Sequence, residues 1–226
     1  TNYFTAATPA PPQEVAVPTV NVIFNVGQEV RPSPPATVPA STTGAQCIDA
    51  SGRKGAISAM VFLASYNWVL GSTELVEFDD QLIPYFPTVL RQEPIQEVLA
   101  QAQAVVTVGM ASCESSLGFL VEKRRARQRA EQLVRWVEES RSRLPSGGTR
   151  MRTVIPLSLG RYTKPCDDSA AGESSRQRRI VLIAVTNNPE DLDVESCLRS
   201  GIATDPSLKF LTDNYSDFDF DVGWKS

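Results

Sequence analysis

Apolar positions change spacing several times along the chain, and each change marks an element. Ile57 to Leu70 is almost continuously apolar and aromatic and breaks at Gly71-Ser72. Thr73 to Asp80 follows as a second strand, so the two predict a hairpin in the core. After a turn punctuated by Pro84 and Pro87, Ile95, Val98, Leu99 and Ala102 fall at helical spacing. This predicts a short helix from about Gln92 to Gln103. Ala104 to Val108 is a β-branched run that stops at Gly109 and reads as a buried strand. Next, Ala126, Ala130, Leu133, Val134 and Val137 recur at i, i+4, i+7, i+8 and i+11, with charges between them. That pattern predicts a long amphipathic helix over residues 122–143, ended by Pro145, Gly147 and Gly148.

Two further strands are predicted over Thr153 to Leu159 and Arg179 to Val185. The second is nearly all apolar, as a central strand covered on both faces would be. Asn188 as cap, Pro189 at the first helical position, Glu190 and Asp191 in the first turn and Gly201 at the end predict a final helix.

The two ends have a different texture. Residues 1–46 carry Pro at 9, 11, 12, 18, 32, 34, 35 and 39. Proline removes backbone donors and favours extended geometry, so this stretch reads as a tether or a strap laid along partners. Within it, Val20, Val22, Phe24 and Val26 alternate with Asn21, Ile23 and Asn25. That island reads as a short strand for a partner, for the domain's own edge, or as a segment wrapped on its own domain. Beyond Asp205 the chain is acidic and aromatic. Asp217, Asp219 and Asp221 alternate with Phe218 and Phe220, but Val222 stands where a calcium loop needs glycine. A strand docking on a neighbouring subunit is the expectation there. The domain organisation read from these patterns is 1–46 tether, 47–72 additional strand or hairpin, 73–186 main domain, and 187–226 helix and tail.

Composition narrows the chemistry. The 226 residues are 42% hydrophobic, which supports a core, and the net charge of −4 argues against a nucleic-acid partner. There is no histidine, which excludes His bases, Ser-His-Asp and Cys-His pairs, and His-ligated zinc. No P-loop or dinucleotide fingerprint occurs, and no cofactor or metal is expected. Apolar runs such as Ala59 to Ala64 are far below the roughly 20 residues a membrane-spanning helix needs. The chain begins at Thr1 rather than Met, as a processed or trimmed protein would. Cys47, Cys113, Cys166 and Cys197 include no CxxC pair; two disulfides and four quiet thiols both fit. Lys123, Arg124, Arg125, Arg127 and Arg129 form a basic run, and Arg176, Arg178 and Arg179 a second. Glu122, Glu131, Glu138 and Glu139 lie among arginines and read as salt-bridged surface.

Four short motifs, in order, resemble the OmpA-like, peptidoglycan-associated domain family. A strand ends in a Gly-His-Thr-Asp turn in that family, where this chain has Gly109-Met110-Ala111-Ser112. A helix follows with Arg-Ala-x-x-Val, here Arg129-Ala130-Glu131-Gln132-Leu133. A Gly-Tyr-Gly-x-x-x-Pro turn is matched by Leu159-Gly160-Arg161-Tyr162-Thr163-Lys164-Pro165, and an Asn-Arg-Arg-Val strand start by Gln177-Arg178-Arg179-Ile180. The resemblance spans about residues 73–186.

It implies an α+β fold, a mixed sheet packed against helices, extended here by the Pro-rich and acidic segments. It also implies a non-catalytic periplasmic protein, associated with the outer membrane, in an envelope complex of the secretion or motor type. Its partners would be other subunits, met through residues 1–46 and 205–226, and peptidoglycan. The implied ligand residues are Ser112, Glu114, Arg125, Arg129 and Arg178. In the family an Asp receives the diaminopimelate ammonium and an Arg a carboxylate. Arg129 keeps the second role, while Ser112 replaces the Asp; a lost charge-assisted bond of roughly 1.5–3 kcal/mol weakens binding about ten- to a hundredfold. The competing reading is a cytoplasmic adaptor whose basic helix binds nucleic acid or an acidic protein.

Overall fold

The computed structural model describes residues 40–62, 66–113, 118–142, 151–164, 177–186, 191–206 and 208–220. The Pro-rich stretch through residue 39 with its island, Glu114, residues 145–148, Cys166, Asn188 to Glu190 and Asp221 lie outside them.

Five strands make the main sheet: β1 (Ala40–Ile48), β2 (Lys54–Phe62), β6 (Ala104–Ala111), β7 (Thr153–Arg161) and β8 (Val181–Thr186). Their order is β1-β2-β8-β6-β7. Only β6 and β7 run parallel, and the other neighbours are antiparallel. The parallel pair needs a crossover, supplied by the long helix α3 (Phe119–Ser142). The sheet is mixed and packed against helices, the α+β architecture expected from the sequence. Every residue of β6 is buried, and Val181 to Val185 of β8 likewise, so both run through the interior with both faces covered.

On one face lie α1 (Pro87–Leu90), α2 (Glu93–Gln101) and α3, with Leu99, Leu133, Trp136 and Val137 against Val105 and Leu182. On the other lie α4 (Val194–Thr204), α5 (Phe210–Asp213) and the chain after it, with Leu198, Ile202 and Leu211 against Val106 and Ile183.

The apolar run from Ile57 to Leu70 forms the expected hairpin with Thr73 to Asp80 only over its later part. Its first part belongs to β2, which pairs with β1 and β8. Its later part is β3 (Tyr66–Trp68), which pairs with β4 (Val76–Phe78) in a separate three-stranded sheet closed by β5 (Gln81–Ile83). The two residues between β4 and β5, Asp79 and Asp80, have φ of 47° and 62°. Both central residues of a type I′ hairpin turn need positive φ, and Asp tolerates it better than most side chains. Strand β1 begins immediately after Pro39, so Ala40 to Gln46 are strand rather than tether: past the last proline nothing removes a ladder donor. The main sheet therefore includes strands before residue 73.

The last helix also starts later than its sequence signals suggest. Asp193 caps α4, its carboxylate accepting from Ser196 N at 3.2 Å and from Ser196 Oγ at 2.7 Å. Gly201 sits inside this helix and not at its end, because a Cβ there would strike Ile57 Cδ1 of the sheet. A disulfide between Cys47 and Cys197 joins β1 to α4. Cys113, just after β6, is also disulfide-bonded.

Candidate functional site

The end of β6, the start of α3 and the turn between β3 and β4 meet around Arg129. Its position follows from the stripe that predicts α3: Ala126, Ala130 and Leu133 face the sheet, and Arg129 falls on the same side. Gly109 of β6 makes the approach close, since a Cβ there would collide with the Ala126 carbonyl and sit 2.6 Å from Ala130 N. The sequence makes Gly109 the end of a strand, but β6 continues through it to Ala111. This glycine is a notch that seats α3.

Arg129 is 1% exposed. Its Nε donates to Ser72 O at 2.9 Å, Nη1 to Met110 O at 2.8 Å and Nη2 to Val69 O at 3.4 Å. The guanidinium also lies 5.5 Å from the centroid of the Trp68 ring, which stacks on Trp136 at 5.3 Å. One planar fork thus ties the helix to the strand and to the 69–72 turn, a task suited to Arg's rigid set of donors. Burial, then the charges of Arg125 and Arg178, push its pKa down to about 9, so it remains a cation at neutral pH.

The other expected site residues divide. Arg125 pairs with Glu122. Arg178 precedes β8; it donates from Nη1 to Trp68 O and lies 3.5 Å from Glu77 Oε1. Trp68 N in turn donates to Arg178 O at 3.0 Å. Ser112 is buried at the end of β6. The structure therefore gathers Arg125, Arg129 and Arg178 into one cationic cluster, with Ser112 two residues past Met110.

Sequence reasoning missed Glu122. Its place among arginines reads as salt-bridged surface, and Glu131 and Glu138 do form half-exposed pairs with Arg127 and Arg141. Glu122 instead is 0% exposed, and its Oε2 has no hydrogen-bond partner among the described residues. The signal was available: residue 122 lies four before Ala126 on the apolar stripe. Trp68 and Ser72, which complete the Arg129 cage, carry no motif that singles them out.

The acidic tail was expected to dock on a neighbouring subunit, and residues 215–220 dock on their own sheet. Ser158 of β7 bridges to Asp219 and Tyr162 to Tyr215. Gly160, at φ of 71°, leaves room for Ser216 and Asp217. Lys123 Nζ is 3.1 Å from Asp217 Oδ1, and the Arg199 guanidinium lies 4.4 Å above the Phe218 ring. The free edge of β7 supplied unpaired backbone groups, and the nearest extended segment of the same chain takes them.

No protein-family model and no curated protein matches the chain. Among solved structures it is similar to the OmpA-like domain of FopA1 from Francisella tularensis subsp. tularensis SCHU S4. The identity is 8% and the TM-score 0.31, over 66% of this chain and 82% of that one. It is also similar to the periplasmic domain of MotB, at 13% identity and a TM-score of 0.36, over 80% of this chain and 92% of that one. Both scores lie below 0.5 and carry no weight for function.

Proposed function

We propose that this chain is a non-catalytic structural protein of the periplasm, associated with the outer membrane. It serves as a subunit of a multi-protein envelope complex of the secretion or motor type and holds peptidoglycan weakly. The observation that carries the ligand part is the arginine cluster. Three guanidiniums, those of Arg125, Arg129 and Arg178, share a buried region with Glu122 and Glu77. Arg129 is buried with its fork held by three backbone carbonyls, so a peptide carboxylate meets the cluster at Arg125, whose side chain is the most exposed of the three at 13%, and forms charge-assisted bonds there. Ser112 has no charge to offer an ammonium, which supports a weak grip.

The compartment rests on the cysteines. Cys47, Cys197 and Cys113 are all in disulfides, which persist in oxidising surroundings such as the periplasm and are rare in the cytosol. That counts against the cytoplasmic adaptor.

Co-sedimentation with purified sacculi tests the ligand. The expected result is partial retention that excess free diaminopimelate releases. Absence of retention, with the protein folded by near-ultraviolet circular dichroism, overturns the peptidoglycan reading.

A further inference from the structure

The first turn of α3 is out of character with the rest of the molecule. Phe119 is 46% exposed, Leu120 76% and Val121 40%. Three consecutive large apolar side chains face solvent immediately after Gly118, whose φ is 91°. The next turns are strongly basic: from Phe119 to Ala130 the helix holds Lys123, Arg124, Arg125, Arg127 and Arg129 against Glu122 alone. Glu122 is buried in its pair with Arg125, so it presents no negative charge at the surface. Arg124 is exposed and in no ion pair among the described residues. Lys123 and Arg127 keep 42% and 43% of their side chains exposed while pairing with Asp217 and Glu131.

We propose that this helix tip is a membrane-contact site that inserts Phe119, Leu120 and Val121 into an anionic bilayer surface. The spacing chooses this occupant over a protein groove. A groove reads one helix stripe, at i, i+3, i+4 and i+7. Residues 119, 120 and 121 are successive, about 100° apart, and splay around the helix end. No single rigid surface covers all three, whereas acyl chains and headgroups close around a protruding tip. The surface cations Lys123, Arg124 and Arg127 lie one to two turns behind the apolar tip, at the depth where they reach anionic headgroups, while Arg125 is taken up by Glu122 and Arg129 by backbone carbonyls. This combination of a buried apolar tip and adjacent Lys and Arg is the chemistry of interfacial binding. The protein's overall charge of −4 makes the contact local and orienting, with α3 entering tip first.

The test uses the full chain, with Phe119→Trp as a fluorescence reporter, and vesicles of phosphatidylcholine alone or mixed with phosphatidylglycerol. Binding to the anionic vesicles with a blue shift, weak binding to the neutral ones, and loss on raising salt are expected. Leu120→Asp should reduce partitioning more than tenfold with an unchanged thermal midpoint. Arg124→Glu changes two charges at roughly 1 kcal/mol each and should also cost more than tenfold. Equal partitioning to both vesicle types, or an unaffected Leu120→Asp variant, overturns the proposal. So does absence of binding to the anionic vesicles.

Discussion

Replacing Gly109 with Ala is the sharpest probe of how the site is held. In a strand with room for a methyl group, this change gains about 0.5–1 kcal/mol by reducing the unfolded chain's freedom. Here the new Cβ meets helix backbone: the Ala126 carbonyl oxygen, Ala130 N at 2.6 Å and Ala126 C at 2.9 Å. Backbone atoms have no rotamer to escape into, so α3 must retreat by more than 1 Å before the closest of these, the Ala126 carbonyl oxygen, reaches an ordinary contact of about 3.5 Å. Two bonds span that interface. Thr107 Oγ1 donates to Ala130 O at 3.0 Å, and Arg129 Nη1 to Met110 O at 2.8 Å. The retreat stretches both beyond bonding range. Overpacking costs about 1–3 kcal/mol, and the two bonds about 1 and 1.5–3 kcal/mol. The net expectation is a loss of about 3–6 kcal/mol, a large share of a typical 5–15. Urea unfolding followed by fluorescence of Trp68 and Trp136 should show the midpoint falling by about 1–2 M. A midpoint that is unchanged or raised refutes the reasoning, because it means that α3 does not rest on Gly109.

Other expectations follow from the same geometry. The Cys47–Cys197 disulfide closes a sequence separation of 150 residues, so replacing both cysteines with serine should cost about 5 kcal/mol at most by loop entropy, read from chemical denaturation. At Asp49, burial opposes ionisation, but hydrogen bonds from Asp193 N, Arg53 and Ser51 N outweigh it and hold the pKa at about 2. Its folded value lies below the ordinary 3.8, so its contribution is present above about pH 4 and is lost as pH falls towards 2. Asp49→Asn should flatten the stability profile across that window, and an unchanged slope refutes this. Arg129→Lys retains the charge but loses the fork to Ser72, Met110 and Val69, and should destabilise by about 3 kcal/mol in thermal or urea unfolding. In Gly160→Ala, the methyl group collides with Ser216 and Asp217. The tail should then become cleavable near Tyr215 by a protease that leaves the parent chain intact.

Periodicity within the chain was enough to place α2, α3, β6, β7 and β8, because an element's own spacing reports which of its faces is buried. It also marked Arg129, through a motif on a helix whose stripe could be counted. Absence of histidine, a property of composition alone, removed whole classes of chemistry. Pairing was different. That β2 would turn away from residues 73–80 and pair on its other side with β8 depends on a partner more than a hundred residues distant, and no local pattern encodes it. The same holds for Gly109 and Gly201. Each is locally a breaker, yet each proves to be a contact point whose meaning exists only when another element's atoms arrive. Glu122 and the acidic tail show the rule for charge. Sequence gave both the look of exposed surface, and tertiary packing buried one beside Arg125 and laid the other along β7. What an isolated segment can bury was legible in the sequence; which surface buries it was settled only when the chain closed on itself.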